Sequence, residues 1–126
     1  MTQALSLVIA AHVLLGILLG LRVIFLRLTR KVGIGDGQDK DLRRAIRVHG
    51  NFVEWVPLAL LALFAAEVRG AGEDWIWGLG GALLVSRLGH AFGLSRGIGL
   101  SVGRSGGMVL MFTVMGIACV LAVRGG

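Results

Sequence analysis

Four polar side chains recur within a largely apolar part of this 126-residue chain: Arg44, Arg47, Asn51 and Glu54. Their spacings are three, four and three residues, and a helix turns by roughly 100° per residue, so all four fall on one helical face. We call this set the polar stripe. Guanidinium groups bind carboxylates, and a carboxylate binds an ammonium group. The polar stripe therefore predicts a site for a ligand that carries both carboxylates and an amine.

Further ionisable residues are predicted to lie at the same level of the helical bundle as the polar stripe. Arg87 and His90 are three residues apart, and Arg22 and Arg27 precede the polar stripe along the chain. A charge inside a membrane helix costs several kcal/mol unless it is paired, so such residues usually mark a function. One alternative is that arginines reach out to lipid phosphates.

A second alternative is an ion pair that serves only structure, with Glu54 neutralising Arg47 or Arg87. Positive charge would remain after any such pairing, because arginines outnumber the carboxylate in this region. That excess still predicts an anionic ligand.

The elements that carry these residues follow from the composition. Hydrophobic residues make up 56% of the chain, and charged residues make up 16%. The apolar runs between charged clusters reach the roughly 20 residues needed to cross a bilayer as a helix. We predict one all-α domain over residues 1–126, an integral membrane four-helix bundle with helices at about 4–29, 41–68, 74–94 and 104–123. Pro57, the one proline, should kink the second helix.

Three other interpretations of the sequence are weaker. A signal peptide would carry positive charge before its apolar run, but no Lys or Arg precedes Arg22. Gly33, Gly35 and Gly37 resemble part of a nucleotide-binding loop, although no strand or Walker lysine accompanies them. The net charge of +6 does not indicate nucleic-acid binding, because the basic residues flank apolar runs.

Lys and Arg are distributed unevenly, which predicts the orientation. Eleven of the 13 lie in or beside the first and third connections. These eleven are Arg22, Arg27, Arg30, Lys31, Lys40, Arg43, Arg44, Arg47, Arg87, Arg96 and Arg104. The positive-inside rule places them in the cytoplasm, with both termini on the outer side.

Two further side chains have simpler predicted roles. His12, in the middle of the first helix, is predicted to be neutral and bonded to a neighbouring helix. Cys119, the one cysteine, is predicted to be a small hydrophobe. No metal is predicted.

The run from Arg44 to Pro57 fits the pattern R-x-x-R-x-x-x-N-x-x-E-x-x-P. This pattern resembles the signature of the MAPEG superfamily, membrane-associated proteins of eicosanoid and glutathione metabolism. The likeness is to small bacterial members, and in spacing to the leukotriene C synthase and microsomal glutathione transferase branches. The resemblance implies a homotrimer in the bacterial inner membrane, with glutathione bound between subunits in a site open to the cytoplasm.

The resemblance also implies roles for individual residues. Those implied to bind glutathione are Arg27, Arg44, Arg47, Asn51, Glu54, Trp55, Arg87 and His90. Arg27, or alternatively Arg30, would reach across from the neighbouring subunit. Arg104 would stabilise the glutathione thiolate, although a gapless alignment would place Ser101 at that position instead.

One departure from the family pattern bears on activity. The family's glutathione sites usually include tyrosines, and this chain has none. Trp55, His90 and Leu94 stand at the corresponding positions. The implied function is a glutathione transferase or peroxidase acting on hydrophobic electrophiles or lipid substrates within the bilayer. The alternative is a non-enzymatic protein that binds lipid or glutathione. A transporter lacks the expected inverted repeats.

Overall fold

Four helices make up the structure. The computed structural model describes residues 1–96 and 102–125, with only the backbone for residues 94–96. The helices are α1 (Gln3–Arg30), α2 (Lys40–Val68), α3 (Glu73–Arg96) and α4 (Val102–Arg124). The predicted all-helical, four-helix architecture is therefore confirmed, and the observed helix ends differ from the expected ones by two residues at most.

Three of the described helices, α1, α2 and α4, are long and apolar enough to cross a membrane. Helix α3 does not reach the same mean hydropathy, because Arg87, His90 and several glycines interrupt its apolar residues. Its 24 residues would extend about 36 Å at 1.5 Å per residue, which is sufficient length for a bilayer. That α3 also spans the membrane stays a prediction.

Polar contacts fix α1 and α2 together at both ends of their hairpin. At one end, the Thr2 amide donates to Glu67 Oε1 over 2.9 Å, so the start of α1 is bound to the end of α2. At the other, Arg30 Nε at the end of α1 lies 3.2 Å from Asp39 Oδ2, and Asp39 also caps α2 by accepting a 2.8 Å hydrogen bond from the Leu42 amide. Lys31 closes α1 in the left-handed conformation, with φ of 56°. These contacts hold α1 and α2 antiparallel.

Helix α2 buries a face composed entirely of apolar residues. That face consists of Leu42, Ala45, Val48, Phe52, Val56, Ala59, Leu63 and Ala66. Spacings of three and four keep these residues on one side of the helix, against the other helices. None of the four polar-stripe residues belongs to this face, so packing of the single chain turns the stripe away from the core.

Glycines bring α3 and α4 unusually close. A Cβ at Gly103 would lie 3.0 Å from the Gly89 carbonyl oxygen and 3.4 Å from Gly93 Cα. A Cβ at Gly107 would lie 2.6 Å from the Ser86 carbonyl oxygen. Small residues four apart permit such contact between membrane helices. This glycine seam fixes where α4 begins relative to α3.

We expect Gly107→Ala to destabilise the protein by about 1–3 kcal/mol, as overpacking typically does. The obstructing atom is a backbone oxygen, so the two helices must separate to admit the methyl group. Gly106→Ala is the matched control, because nothing lies within 4 Å of a Cβ built there. Thermal unfolding in mild detergent should show a lower midpoint for Gly107→Ala only. Equal midpoints for the two variants would contradict the close approach.

Candidate functional site

The polar stripe lies on the accessible side of α2. Arg47 and Glu54 are exposed, whereas Arg44 and Asn51 are half-buried. Glu54 lies fourteen residues after Lys40, about 21 Å along the helix from its start. Within residues 1–96 and 102–125, neither Arg47 nor Glu54 forms an ion pair or a hydrogen bond. The structural ion pair considered for Glu54 is thus not formed among the described residues of one chain.

A cleft beside the first connection joins the polar stripe to α1. It has a volume of about 400 Å³, and Arg27, Asp36, Arg43 and Arg47 contribute its charged lining. Arg43 donates a hydrogen bond to Asp36. This hydrogen bond is the main reason why the pKa of the Asp36 carboxyl is lowered. Asp36 is therefore engaged by Arg43, and positive charge from Arg27 and Arg47 remains in the cleft.

The two first-helix arginines considered for the site differ in their partners. Arg30 Nε lies 3.2 Å from Asp39 Oδ2, so its charge is neutralised within the chain. Arg27 Nη1 donates to the Gly35 carbonyl over 2.8 Å, a contact that supports the loop without cancelling the charge. The structure thus brings Arg27 and Arg47 to one cleft within a single chain. Among the described residues, Arg27 therefore keeps its positive charge in the cleft, whereas the charge of Arg30 is neutralised by Asp39.

Arg44 lies at the end of the polar stripe nearest the start of α2. Its Nη1 lies 3.5 Å from Asp41 Oδ1, one turn earlier on the same helix. Its Nε is buried without a hydrogen-bond partner among the described residues. A buried, unpartnered donor is costly, which leaves this atom ready to bind an acceptor.

Arg87 is the most buried charge near the stripe, with 2% of its surface exposed. Its Nη1 donates to Asn51 Oδ1 over 2.8 Å, and its Nη2 donates to the Gly107 carbonyl over 2.9 Å. Its Nε donates to Ser86 Oγ over 3.1 Å. Arg87 therefore links α2, α3 and α4, and its guanidinium donates to partners within the protein.

His90 and Trp55 each contact a residue of α4. His90 is 5% exposed, and its Nδ1 lies 3.3 Å from the Arg104 carbonyl oxygen. The Trp55 ring meets Phe112 edge-on, with ring centroids 5.0 Å apart. Arg104 is half-buried on the first turn of α4, and its carbonyl oxygen is the atom that His90 contacts.

Comparison with known proteins agrees with this architecture. The sequence model of the MAPEG family matches residues 5–124. This chain belongs to the MAPEG family. It is also 42% identical over 72 residues to the inner membrane protein YecN of Escherichia coli K12, and equally so to YecN of E. coli O6:H1. The match covers 56% of this chain and 54% of YecN, so the matched part spans about half the length of these curated relatives.

Family membership and three apolar helices together support a multi-pass membrane protein. The name of YecN states a location, the inner membrane, and no reaction.

Three residues that organise the site of this MAPEG chain were missed at the sequence level: Ser86, Gly107 and Phe112. Ser86 and Phe112 carry no distinguishing spacing. The Gly103 and Gly107 pair, four residues apart, was a readable signal for close helix packing. The Leu94 side chain and Ser101 lie outside the described residues.

His12 differs from its predicted role. It is 1% exposed as expected, but its Nδ1 lies 2.7 Å from the Val8 carbonyl oxygen of its own helix. The predicted bond to a neighbouring helix is wrong, because the carbonyl one turn earlier is already within reach of a helical side chain. Its Nε2 has no hydrogen-bond partner in the described ranges.

We expect Cys119→Ser to leave unchanged the thermal midpoint of this MAPEG protein and the glutathione binding that the sequence predicts. Cys119 is exposed, and it lies fifteen residues after Arg104, about 22 Å along α4. That distance removes its thiol from the polar stripe. Titration calorimetry on the well-folded variant is the check. A loss of glutathione binding there would contradict the placement of the site.

Proposed function

We propose that this MAPEG protein binds glutathione on the polar stripe and activates its thiol for reaction with hydrophobic molecules dissolved in the bilayer. The observation that carries the proposal is that Arg47 and Glu54 are exposed and have no partner among the described residues, on a helix long and apolar enough to cross a membrane. Charges in that setting are costly unless a partner or ligand meets them. Glutathione offers two carboxylates and one ammonium group, which complement these side chains.

The residues fit the ligand group by group. Arg27 and Arg47, which share the cleft, would bind carboxylates. Glu54 would bind the γ-glutamyl ammonium. Asn51 turns its oxygen to Arg87, so its amide NH₂ can donate to a carbonyl or carboxylate of the ligand. The site would open toward the cytoplasm, where the positive-inside rule places these arginines.

The chemistry would begin with the thiol giving its proton to water. A nearby cation lowers a thiol pKa because it favours the charged form, and Arg104 is the residue we assign to this role. With an aryl halide, the thiolate sulfur would form a bond to the ring carbon as the carbon–halogen bond breaks and halide leaves. With a lipid hydroperoxide, two glutathione molecules would be oxidised to their disulfide while the hydroperoxide becomes an alcohol and water.

A homotrimer is part of the proposal. Exposed charge at mid-helix is best covered by another copy of the chain, with α2, α3 and α4 of three copies packed together and no stable folded monomer. Native mass spectrometry and cross-linking in mild detergent should show trimers. Exclusively monomers or dimers would contradict this assembly.

A second candidate is a protein that binds glutathione or lipid without catalysis. It is favoured by the residues at the family's tyrosine positions: Trp55 packs against Phe112, and His90 is buried beneath Arg104. Neither presents a phenol-like donor at the surface.

The purified wild-type protein decides between the candidates. Titration calorimetry with glutathione tests binding, and conjugation of 1-chloro-2,4-dinitrobenzene, followed by absorbance, tests catalysis. Binding with conjugation above the uncatalysed rate supports the transferase. Binding without conjugation or hydroperoxide reduction supports the second candidate, and no binding overturns the proposed function.

A further inference from the structure

The Arg87 guanidinium has an unusual set of partners for a buried charge. Its three contacts are Asn51 Oδ1, the Gly107 carbonyl and Ser86 Oγ, all of them neutral acceptors. In the described part of the chain, no carboxylate lies within ion-pair distance of Arg87. Burying a cation against neutral groups is expensive, so it is retained where its geometry has a use.

One use follows from the donor chemistry of arginine. A guanidinium has five N–H donors and no acceptor, so the Asn51 atom that meets it must be the oxygen. The Asn51 amide nitrogen is then directed elsewhere. Within the described ranges, the buried side-chain polar atoms that lack a partner are His12 Nε2 and Arg44 Nε, so the Asn51 nitrogen is not trapped in the interior. It remains available on the polar stripe, between Arg47 and Glu54 in sequence.

The Nη2 group of the Arg87 guanidinium reaches α4. Gly107 lies three residues after Arg104, and its carbonyl receives the Arg87 Nη2 hydrogen bond. The glycine seam brings this carbonyl close, because a side chain at Gly107 would collide with the Ser86 carbonyl oxygen. Fixing Gly107 fixes the first turns of α4, and with them the backbone of Arg104.

We propose that Arg87 is a positioning residue that never touches the ligand. It locks the Asn51 amide so that Asn51 donates to an acceptor on an anionic ligand, and it holds the start of α4 so that Arg104 faces the same ligand. The planar fork suits this role, because two parallel donors span two helices where one ammonium group could not. The ligand half of this inference rests on the proposed glutathione function.

Asn51→Asp separates positioning from ligand contact. One aspartate oxygen still accepts from Arg87 and gains a charge pair, so the thermal midpoint in detergent should equal or exceed that of the wild type. The other oxygen now presents an acceptor where the ligand needs a donor, so glutathione affinity by calorimetry should fall at least tenfold. Asn51→Leu is the matched control and should lose both stability and affinity. Wild-type affinity in Asn51→Asp would overturn the assigned donor role.

Arg87→Lys tests the hydrogen bond from Arg87 to the Gly107 carbonyl of α4. It keeps the charge but cannot reach both acceptors. At saturating glutathione, the bound thiolate absorbance near 240 nm should titrate at higher pH than in the wild type, because Arg104 is displaced. A folded Arg87→Lys protein with an unchanged thiolate titration would overturn the α4 half of the proposal.

A double-mutant cycle on thermal stability tests the Asn51–Arg87 link without relying on glutathione binding. Asn51→Leu, Arg87→Met and the double variant should be non-additive in unfolding midpoint, since either single change already breaks the same hydrogen bond. Additive midpoints would overturn the positioning link even if glutathione binds. If Arg87→Met does not fold, the Asn51→Asp midpoint decides alone, and a midpoint as low as that of Asn51→Leu overturns the link. Absence of wild-type glutathione binding would instead overturn the proposed function.

Discussion

Replacing Arg104 by alanine is expected to lower kcat by about 100-fold or more, the usual effect of removing one preorganised charge-stabilising donor. Arg104 lies on the first turn of α4, where the helix N-terminus adds positive potential to that of the guanidinium. Both favour a thiolate. Charge on sulfur exists only after the proton leaves, so losing Arg104 should impair turnover more than it weakens glutathione binding.

The direct measurement is the absorbance of bound thiolate against pH. The pKa of the bound thiol should rise in Arg104→Ala, so less thiolate is present at neutral pH. Arg124→Ala removes the same charge from the opposite end of α4 and serves as the control. If the Arg104→Ala titration matches that of the wild type, Arg104 is not the activating group. Ser101 or an arginine of a neighbouring subunit would then be the candidate, and the non-catalytic function would gain support.

Glu54→Gln is expected to weaken glutathione binding by roughly 30- to 5,000-fold, the effect of removing one partner of a hydrogen-bonded charge pair. Glu54 has no partner of its own among the described residues, so its carboxylate is available for the ligand's ammonium group. That contact is the same before and during the reaction. KM should therefore rise while kcat at saturating glutathione changes little.

The ligand provides an internal control for this prediction. N-acetylglutathione lacks the ammonium group, so it should bind wild-type and Glu54→Gln protein with the same low affinity. Glu73→Gln, at the exposed start of α3, is the matched protein control and should bind glutathione as the wild type does. A Glu54→Gln protein that discriminates between glutathione and its N-acetyl form as strongly as the wild type would place the ammonium elsewhere.

Much of this fold could be predicted from local sequence. The helix positions follow from the lengths of apolar runs, and the membership of the polar stripe follows from the helical period. Neither property depends on distant parts of the chain. The position of Glu54 shows what local sequence does not predict. Period alone puts Glu54 and Arg47 on one face, but only packing shows that this face lies outside the single-chain core.

The hydrogen-bond partners of buried side chains could not be predicted from the sequence, for the same reason. Arg87 was predicted to bind glutathione, and the sequence did not indicate its hydrogen bonds within the chain, which go to Asn51 and Gly107, 36 and 20 residues away. His12 was assigned to a neighbouring helix, although its own helix supplies the acceptor. Such choices depend on which atoms packing brings within about 3 Å, a distance that spacing along the chain does not encode.

The outward-facing charges on α2 also affect how the protein is made. Under the proposed assembly, a newly inserted copy that has met no other copy would expose Arg47 and Glu54 to acyl chains, where charged groups are poorly solvated. Such an orphan is recognisable as incomplete by any quality-control protease that samples polar groups within the bilayer. Abundance in the cell would then be set by encounter between copies as much as by synthesis. Variants that fail to assemble would be cleared rather than accumulate as inactive protein.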